Sequence, residues 1–124
     1  MDATSSENIK KTAAAIRKDH GHPTVLVNNA GAMFSKALLD ESQDDVRRVF
    51  DINVMSNFDL VREFIPNMIE RNHGHVIHIA SMASFVTGAR NVSYAATKAA
   101  VLSLHEGLSQ ELSNVYKAKK VRTR

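Results

Sequence analysis

Two short runs of aliphatic and β-branched residues, Thr24 to Val27 and Val76 to Ala80, are separated by a long amphipathic helical pattern. Strands that alternate with long helices pair in parallel through crossover connections, whereas antiparallel neighbours are joined by short hairpins. A strand that is apolar along its whole length is typical of a sheet covered on both faces. The pattern therefore predicts an α/β layered fold around a parallel sheet.

The starts and ends of two helices are marked in the sequence. Thr4 and Glu7 have the spacing of a capping box, in which each side chain satisfies the backbone N–H of the other residue. The segment His20 to Pro23 is predicted to end this first helix. A second helix is predicted to start with a capping box at Ser42 to Asp45 and to kink near its end at Pro66.

A third helix is predicted from Ser93 to Val115, and Val121 is predicted to open a further strand. Two complete parallel strands do not make a stable open sheet, because their edges expose unpaired backbone groups. We therefore expect the chain to be an internal piece of a larger domain. In that case Val25 to Val27 should form an exposed apolar edge.

The composition excludes several classes of protein. The 124 residues correspond to one domain, and 44% hydrophobic with 23% charged residues is ordinary for a globular protein. No apolar run approaches the roughly 18 residues that span a bilayer, and no signal peptide opens the chain. The absence of Cys excludes disulfides and thiolate metal sites.

The net charge of +3 raises the alternative of an anionic partner. Much of the excess lies in the tail from Lys117 to Arg124. Nucleic-acid binders usually interleave basic and aromatic residues, and only Tyr116 lies nearby. A solvated basic turn is therefore favoured over nucleic-acid binding.

Tyr94 and Lys98 are four residues apart near the start of the third helix, so they share one helix face. A neighbouring cation favours the phenolate form of a tyrosine, which can then act as an acid or base near neutral pH. The same spacing occurs by chance on helix surfaces, and a simple surface pair is the alternative.

Ser81 follows the second strand, thirteen residues before Tyr94. Ligands of open parallel sheets bind beyond the carboxyl ends of the strands. A hydroxyl there can bond a substrate oxygen while Tyr94 moves the proton. Ser84 and Ser93 are alternatives by the same argument, and an ordinary loop serine is another.

Asn28, Asn29, Ala30 and Gly31 follow the first strand in the same way. Small residues let the backbone approach a flat ligand, and Gly31 can adopt conformations that other residues cannot. A plain strand-to-loop turn is the alternative. Asn53 lies within an apolar helical stripe, so we expect it either to make structural hydrogen bonds or to join a polar chain into a cleft.

These segments together resemble the short-chain dehydrogenase/reductase family over essentially the whole chain. The resemblance lies in five segments in the expected order: Asp2-Ala3-Thr4, Val25 to Gly31, Asp51-Ile52-Asn53-Val54, Ile79 to Ser84, and Tyr94-x-x-x-Lys98. It implies that residues 1–124 are a partial NAD(P)-binding Rossmann-like domain, part of a doubly wound parallel sheet. The first strands and the C-terminal part of the family fold are not expected in this chain.

The resemblance implies a role for each site residue. Tyr94 is the general acid/base, and Lys98 stabilises its phenolate and bonds the nicotinamide ribose. Ser81 polarises the carbonyl, and Asn53 holds a water in a proton relay. Asp2 contacts the adenine ring, and Asn28, Asn29, Ala30 and Gly31 pack beside the cofactor, which is NAD or NADP and carries the hydride.

The family's Gly-rich pyrophosphate turn, its NAD-or-NADP selecting position and its substrate lid have no counterpart in the 124 residues. The first hypothesis is an oxidoreductase that interconverts an alcohol and a ketone or aldehyde. The second is an inactive truncated product acting only through full-length partners, and the third is a binding module unrelated to redox chemistry. Cofactor titration and cooperative unfolding discriminate among them.

The segments His73 to Ser81 and Lys120 to Thr123 are similar to the retinol and hydroxysteroid dehydrogenase branch, which implies a lipophilic small-molecule substrate. Members of that branch are often attached to membranes or lipid droplets, so the cytoplasm or the cytosolic face of such a surface is expected. The family also builds its dimers on the faces of the second and third helices, which makes a homodimer an expectation.

Two further groups of residues are candidates for a site. His73, His75 and His78 suggest a metal site, but His75 and His78 point to opposite strand faces and no carboxylate joins them. A turn and strand surface is therefore predicted for them. The apolar stretches Met33-Phe34 and Met82 to Thr87 are predicted either to line a hydrophobic pocket or to pack as ordinary loops.

Overall fold

Helices and strands alternate along the chain in the computed structural model, which describes residues 1–124. The elements are α1 (Ser6–His20), β1 (Val25–Asn28), α2 (Gln43–Phe50), α3 (Ser56–Arg71), β2 (Gly74–His78), α4 (Val92–Asn114) and β3 (Val121–Thr123). A π-helical turn, Asp51–Met55, joins α2 to α3, and short 3-10 turns lie at Leu38–Asp40 and Met82–Ser84. The predicted α/β fold is confirmed.

The sheet has the order β1-β2-β3, and both pairs of neighbours are parallel. Val25 pairs with His75, and Gly74 pairs with Val121. On the edge strand β1, Val25 and Val27 are 54% and 52% exposed. The exposed apolar edge expected from the sequence is therefore present.

Two apolar clusters attach the helices to one face of the sheet, so the covering of both faces that the apolar strands indicated is not present. The larger cluster joins α3 and α4 to β2 and β3, and Met68, Val76 and Leu112 lie at its centre. The smaller cluster packs α1 on α3 through Ile9 and Phe64. Their apolar stripes are the faces that the sequence periodicity indicates.

The predicted capping box at Ser42 is confirmed: Ser42 Oγ accepts from Asp45 N, and Asp45 Oδ2 accepts from Ser42 N. The box predicted at Thr4 and Glu7 is wrong. Ser5 is the N-cap of α1, and its Oγ accepts from Asn8 N at 3.2 Å. The Thr4 N–H, which Glu7 would bond in such a box, donates to Asp2 Oδ1 instead.

Gly21 ends α1 with φ of 79°, a left-handed conformation that glycine adopts readily. The strand bounds differ from the predicted ones: β1 includes Asn28, and β2 begins at Gly74 and ends at His78. None of the helices is long and apolar enough to cross a bilayer.

Gly74 is expected to tolerate no side chain, because it lies against the buried Met68. A Cβ atom at Gly74 would be 2.6 Å from Met68 Cγ and Sδ and 2.8 Å from Met68 Cβ. Gly74→Ala should therefore lower the free energy of unfolding by about 2 kcal/mol, as overpacking does. Urea denaturation measures the change. Gly107→Ala is the control: it lies inside α4 with open space around it and should be neutral or stabilising.

Candidate active site

The carboxyl ends of β1 and β2 lie side by side, and the start of α4 is fastened to them. Asn28 and His78 are the last residues of the two strands and are register partners. Lys98 Nζ donates to Ile79 O at 2.7 Å, and Ser84 Oγ donates to Lys98 O at 2.9 Å. These two bonds tie the first turns of α4 to the chain that leaves β2.

Lys98 is a buried cation without an anionic partner. The residue is 5% exposed, and none of the four ion pairs of the chain includes it. Its ammonium carries three donors, and one of them is used by Ile79 O. Since a buried charge is costly unless it is paired, the two remaining donors indicate a polar group that this site is built to receive.

Tyr94 lies beside this cation, with Lys98 Nζ 5.7 Å from the centroid of the phenol ring. The backbone carbonyl of Tyr94 accepts a hydrogen bond from Thr97 Oγ1 at 2.6 Å. The phenolic hydroxyl has no partner within the chain. The predicted face shared by Tyr94 and Lys98 is therefore present, with a free hydroxyl on the tyrosine and two free donors on the lysine.

Asn53 joins the loop after β1 to α4. Its Oδ1 accepts from Ala32 N at 2.7 Å, and its Nδ2 donates to Ala32 O and to Thr97 Oγ1, both at 2.9 Å. The residue is 1% exposed. Of the two interpretations from the sequence, the structural hydrogen-bonding one describes the side chain, because both amide hydrogens are committed to the protein.

Gly31 lies beside Asn53 and Lys98. An ideal Cβ there would be 3.7 Å from Asn53 Oδ1 and 3.8 Å from Lys98 Nζ. The expectation that Gly31 uses a conformation closed to other residues is wrong: Gly21 is the one glycine with positive φ. The absence of a side chain at Gly31 instead leaves open space beside Lys98.

The three candidate serines differ in what their hydroxyls do. Ser93 Oγ donates to Glu41 Oε1 at 2.6 Å, and Ser84 Oγ donates to Lys98 O. Ser81 Oγ only accepts, from Ala83 N at 3.1 Å. Its hydrogen is free for a ligand. Ser81 lies three residues beyond the end of β2, and the turn that follows it packs on α4.

A family model described as "short chain dehydrogenase" matches residues 1–122. The chain belongs to the short-chain dehydrogenase family. Among similar proteins, Dehydrogenase RED3 of Cochliobolus heterostrophus is 50% identical over 98% of this chain and 62% of its own length. Rat retinol dehydrogenase 10 is 37% identical, and human 17-beta-hydroxysteroid dehydrogenase 13 is 30% identical, each over 90% of this chain.

Two solved dehydrogenases, the first of them a short-chain dehydrogenase, have the same fold. One from Streptomyces avermitilis superposes with a TM-score of 0.91 at 32% identity, over 99% of this chain and 44% of its own. A 4-hydroxyisoleucine dehydrogenase complexed with NADH and succinate superposes with 0.89 at 26% identity, over 98% of this chain and 56% of its own. The chain thus spans about half the length of these relatives.

Not all residues predicted for the dehydrogenase site come together. The contacts described above join Gly31, Asn53, Tyr94 and Lys98. Asp2 instead precedes α1, and Thr4 N–H and hydroxyl donate to its Oδ1, which lowers the pKa of its carboxyl. Asn29 and Ala30 are exposed, and the side chain of Asn29 makes no hydrogen bond to Asn53, Tyr94 or Lys98.

The prediction that His78 lies on a strand surface is wrong. His78 is 7% exposed and lies among Asn28, Asn57 and His105. Asn57 is also buried, and the sequence did not indicate it as a site residue. The sequence does place a polar residue, Asn28, Asn57 or His78, on each of three predicted elements. That pattern indicates a buried group only once the three elements are known to meet.

The two apolar loops leave most of their large side chains exposed. Met82, Phe85 and Val86 are exposed by 78%, 72% and 71%, and Met33 by 52%. A role in lining a hydrophobic pocket stays a prediction.

Proposed function

We propose that this protein is an NAD- or NADP-dependent oxidoreductase that interconverts an alcohol and a ketone or aldehyde. One observation carries the proposal: the buried ammonium of Lys98 has no anionic partner and lies 5.7 Å from the ring of Tyr94, whose hydroxyl is free. Membership of the short-chain dehydrogenase family supports it. Relatives whose names describe them as dehydrogenases support it further.

The residues of the site fit a nicotinamide dinucleotide. Lys98 keeps two donors for the ribose hydroxyls, and the absence of a side chain at Gly31 leaves the space next to them open. Asn28 to Gly31 would line one side, and Asp2 would contact the adenine end. Solved relatives bound to NADP and to NADH support either cofactor. The bound dinucleotide would supply the hydride chemistry.

The residues of this chain would manage the proton. The Tyr94 hydroxyl donates its proton to the carbonyl oxygen during reduction, and the Tyr94 phenolate takes a proton from the alcohol during oxidation. The Lys98 ammonium stabilises the phenolate that remains. The Ser81 hydroxyl, which donates to no protein group, bonds the same substrate oxygen and polarises it.

The role of Asn53 is narrowed by its hydrogen bonds. Both of its amide hydrogens are committed to Ala32 and Thr97, so the side chain has no donor left for a water. Its backbone carbonyl accepts from Asn57 Nδ2 at 2.8 Å, and its Oδ1 accepts from Ala32 N. A carbonyl oxygen has two lone pairs, so these two oxygens of Asn53 are the groups that would hold a relay water.

The substrate that we propose is a lipophilic alcohol or ketone. Relatives named retinol dehydrogenase and 17-beta-hydroxysteroid dehydrogenase support this class. The exposed apolar side chains of Met82 and Phe85, close to Ser81 in the chain, are suited to an apolar ligand.

We also propose a homodimer through α2, α3 and α4, where Val61, Ile65 and Leu108 line an apolar cavity of about 430 Å³.

Lys98→Met is expected to weaken dinucleotide binding about tenfold or more, because it removes charge-assisted hydrogen bonds and keeps the side-chain length. Fluorescence titration of NADH and NADPH measures the dissociation constant directly. Lys119→Met, at an exposed position in the tail, is the matched control and should bind like the parent chain. Thermal melting shows whether the variants remain folded.

Two results would contradict the proposal. If the parent chain binds neither NADH nor NADPH, the assignment as an oxidoreductase fails. If Lys98→Met and Lys119→Met bind NADH and NADPH with the same affinity, the buried ammonium of Lys98 does not face the cofactor.

A further inference from the structure

Three buried polar side chains form a group beneath the site. Asn28, Asn57 and His78 come from β1, α3 and β2, and they are 5%, 4% and 7% exposed. His78 Nδ1 lies 3.0 Å from Asn57 Oδ1 and 3.3 Å from Asn28 Nδ2. Polar groups this deep are costly unless they bond one another, so their arrangement is specific.

The hydrogen bonds determine which nitrogen of His78 carries the proton. Asn57 Nδ2 donates to Asn53 O at 2.8 Å, so Asn57 Oδ1 must face His78 as an acceptor. His78 Nδ1 is therefore the protonated nitrogen. The Asn28 amide, 3.3 Å away, must turn its buried and otherwise unpartnered Oδ1 rather than its Nδ2 toward that N–H, since two donors would otherwise face each other. The opposite tautomer would place two acceptors against each other at 3.0 Å. It would also bury the N–H of Nε2, which has no partner.

This chain of bonds reaches the proposed active site through Asn53. The π-helical turn Asp51–Met55 interrupts the regular ladder at Asn53, and the side chain of Asn57 holds the carbonyl of that residue. The amide of Asn53 in turn holds Ala32 and, through Thr97, the carbonyl of Tyr94. A shift of Asn57 would move each of these groups.

His78 also lies next in sequence to the anchor of Lys98. Ile79 O accepts from Lys98 Nζ, and Ile79 N donates to Asn28 O at 3.0 Å. The backbone N–H of His78 donates to Arg124 O at 2.6 Å, so the end of β2 is held on both sides.

The imidazole is neutral at neutral pH. Burial, with a smaller contribution from His105, lowers the pKa of His78 to about 4. A neutral ring with one N–H gives Asn57 a single defined donor. His105, whose ring centroid lies 6.2 Å away, and Thr123, which bonds His105, complete the surroundings on the side of α4 and β3.

We propose that His78 is a positioning residue: by donating from Nδ1 to Asn57, it fixes the carbonyl of Asn53 and thereby the placement of Tyr94 and Ala32. This role deepens the proposed oxidoreductase function and rests on it. His78 touches neither substrate nor cofactor, so its removal should affect turnover more than binding.

The test compares two replacements of similar size. His78→Asn retains a donor close to the position of Nδ1, whereas His78→Leu has the same branched shape without a donor. In the full chain we expect His78→Leu to lower kcat about tenfold to a hundredfold, because small displacements of catalytic groups have effects of this size. The dissociation constant for NADH or NADPH should change less than about threefold, and His78→Asn should restore kcat.

NMR readouts decide the positioning separately from activity. In ¹H–¹⁵N spectra, we expect the Ala32 amide and the Asn53 side-chain amide to move in His78→Leu and to stay in place in His78→Asn. A long-range ¹H–¹⁵N spectrum of the parent should show His78 protonated at Nδ1, which needs no variant to fold.

The outcomes separate the two proposals. A parent chain without dinucleotide binding or turnover contradicts the oxidoreductase, while the shifts of Ala32 and Asn53 still support the positioning by His78. Protonation at Nε2, or unmoved Ala32 and Asn53 signals in His78→Leu, overturns the positioning even if turnover falls. Equal losses of kcat in His78→Asn and His78→Leu also overturn it.

Discussion

Tyr94→Phe is expected to lower kcat for the proposed oxidation of an alcohol about a thousandfold, which corresponds to about 4 kcal/mol in the barrier. The change removes one oxygen atom and leaves the ring next to Lys98. Because the hydroxyl has no hydrogen bond within the chain, its loss leaves no buried protein group unpaired. The free energy of unfolding should therefore stay the same while the proton transfer fails.

The measurement is NADH or NADPH formation under saturating substrate, with dinucleotide affinity measured in parallel. Tyr116→Phe is the matched control, since Tyr116 is 48% exposed and lies beyond the end of α4. It should retain the kcat of the parent. A Tyr94→Phe variant that turns over within about tenfold of the parent would exclude Tyr94 as the acid or base.

The order of elements and the parallel sheet follow from the sequence because they depend on long-range periodicity. Strand limits are harder, since they depend on which backbone groups find partners. The apolar run suggests a strand from Val76 to Ala80, but Gly74 and His75 pair with the neighbouring strands. Ile79 N–H still bonds Asn28 O beyond the last ladder residue.

Local capping signals compete with neighbouring groups for the same backbone donors. At Ser42 the N–H and the hydroxyl have no partner outside the predicted box, so the box forms even though Lys36 Nζ also donates to Asp45 Oδ2. At Thr4 the carboxylate of Asp2, two residues earlier, accepts from the N–H that Glu7 would bond in a box. The helix begins one residue later, with Ser5 as its cap.

In the candidate site, the sequence identifies pairs on one helix and misses bonds between elements. Tyr94 and Lys98 are found from their spacing of four. Lys98 is anchored by Ile79, the residue after β2, and the bonds of Asn53 depend on Ala32 and Thr97. His78 is hidden by α3 and α4, which no pattern within β2 reveals.

Acidification from pH 6.5 to pH 4 is expected to destabilise the protein by about 3 kcal/mol through His78 alone. Burial and the charge of His105 lower the pKa of His78 from 6.5 to about 4. Below pH 6.5 the unfolded chain binds a proton at His78, while the folded chain stays unprotonated there until the pH nears 4. The free energy of unfolding therefore falls with pH in this window, and above it His78 contributes no pH dependence.

Urea denaturation of the parent and of His78→Asn, from about pH 7 to pH 4, isolates this contribution. The carboxyl of Asp45, whose pKa is lowered by its hydrogen bond from Lys36, also makes the fold less stable in acid, but it does so in both proteins. Relative to His78→Asn, the free energy of unfolding of the parent should fall by about 3 kcal/mol between pH 7 and pH 4. Parallel curves would mean that His78 is protonated as readily in the folded as in the unfolded chain, and a buried neutral imidazole that donates to Asn57 would then be excluded.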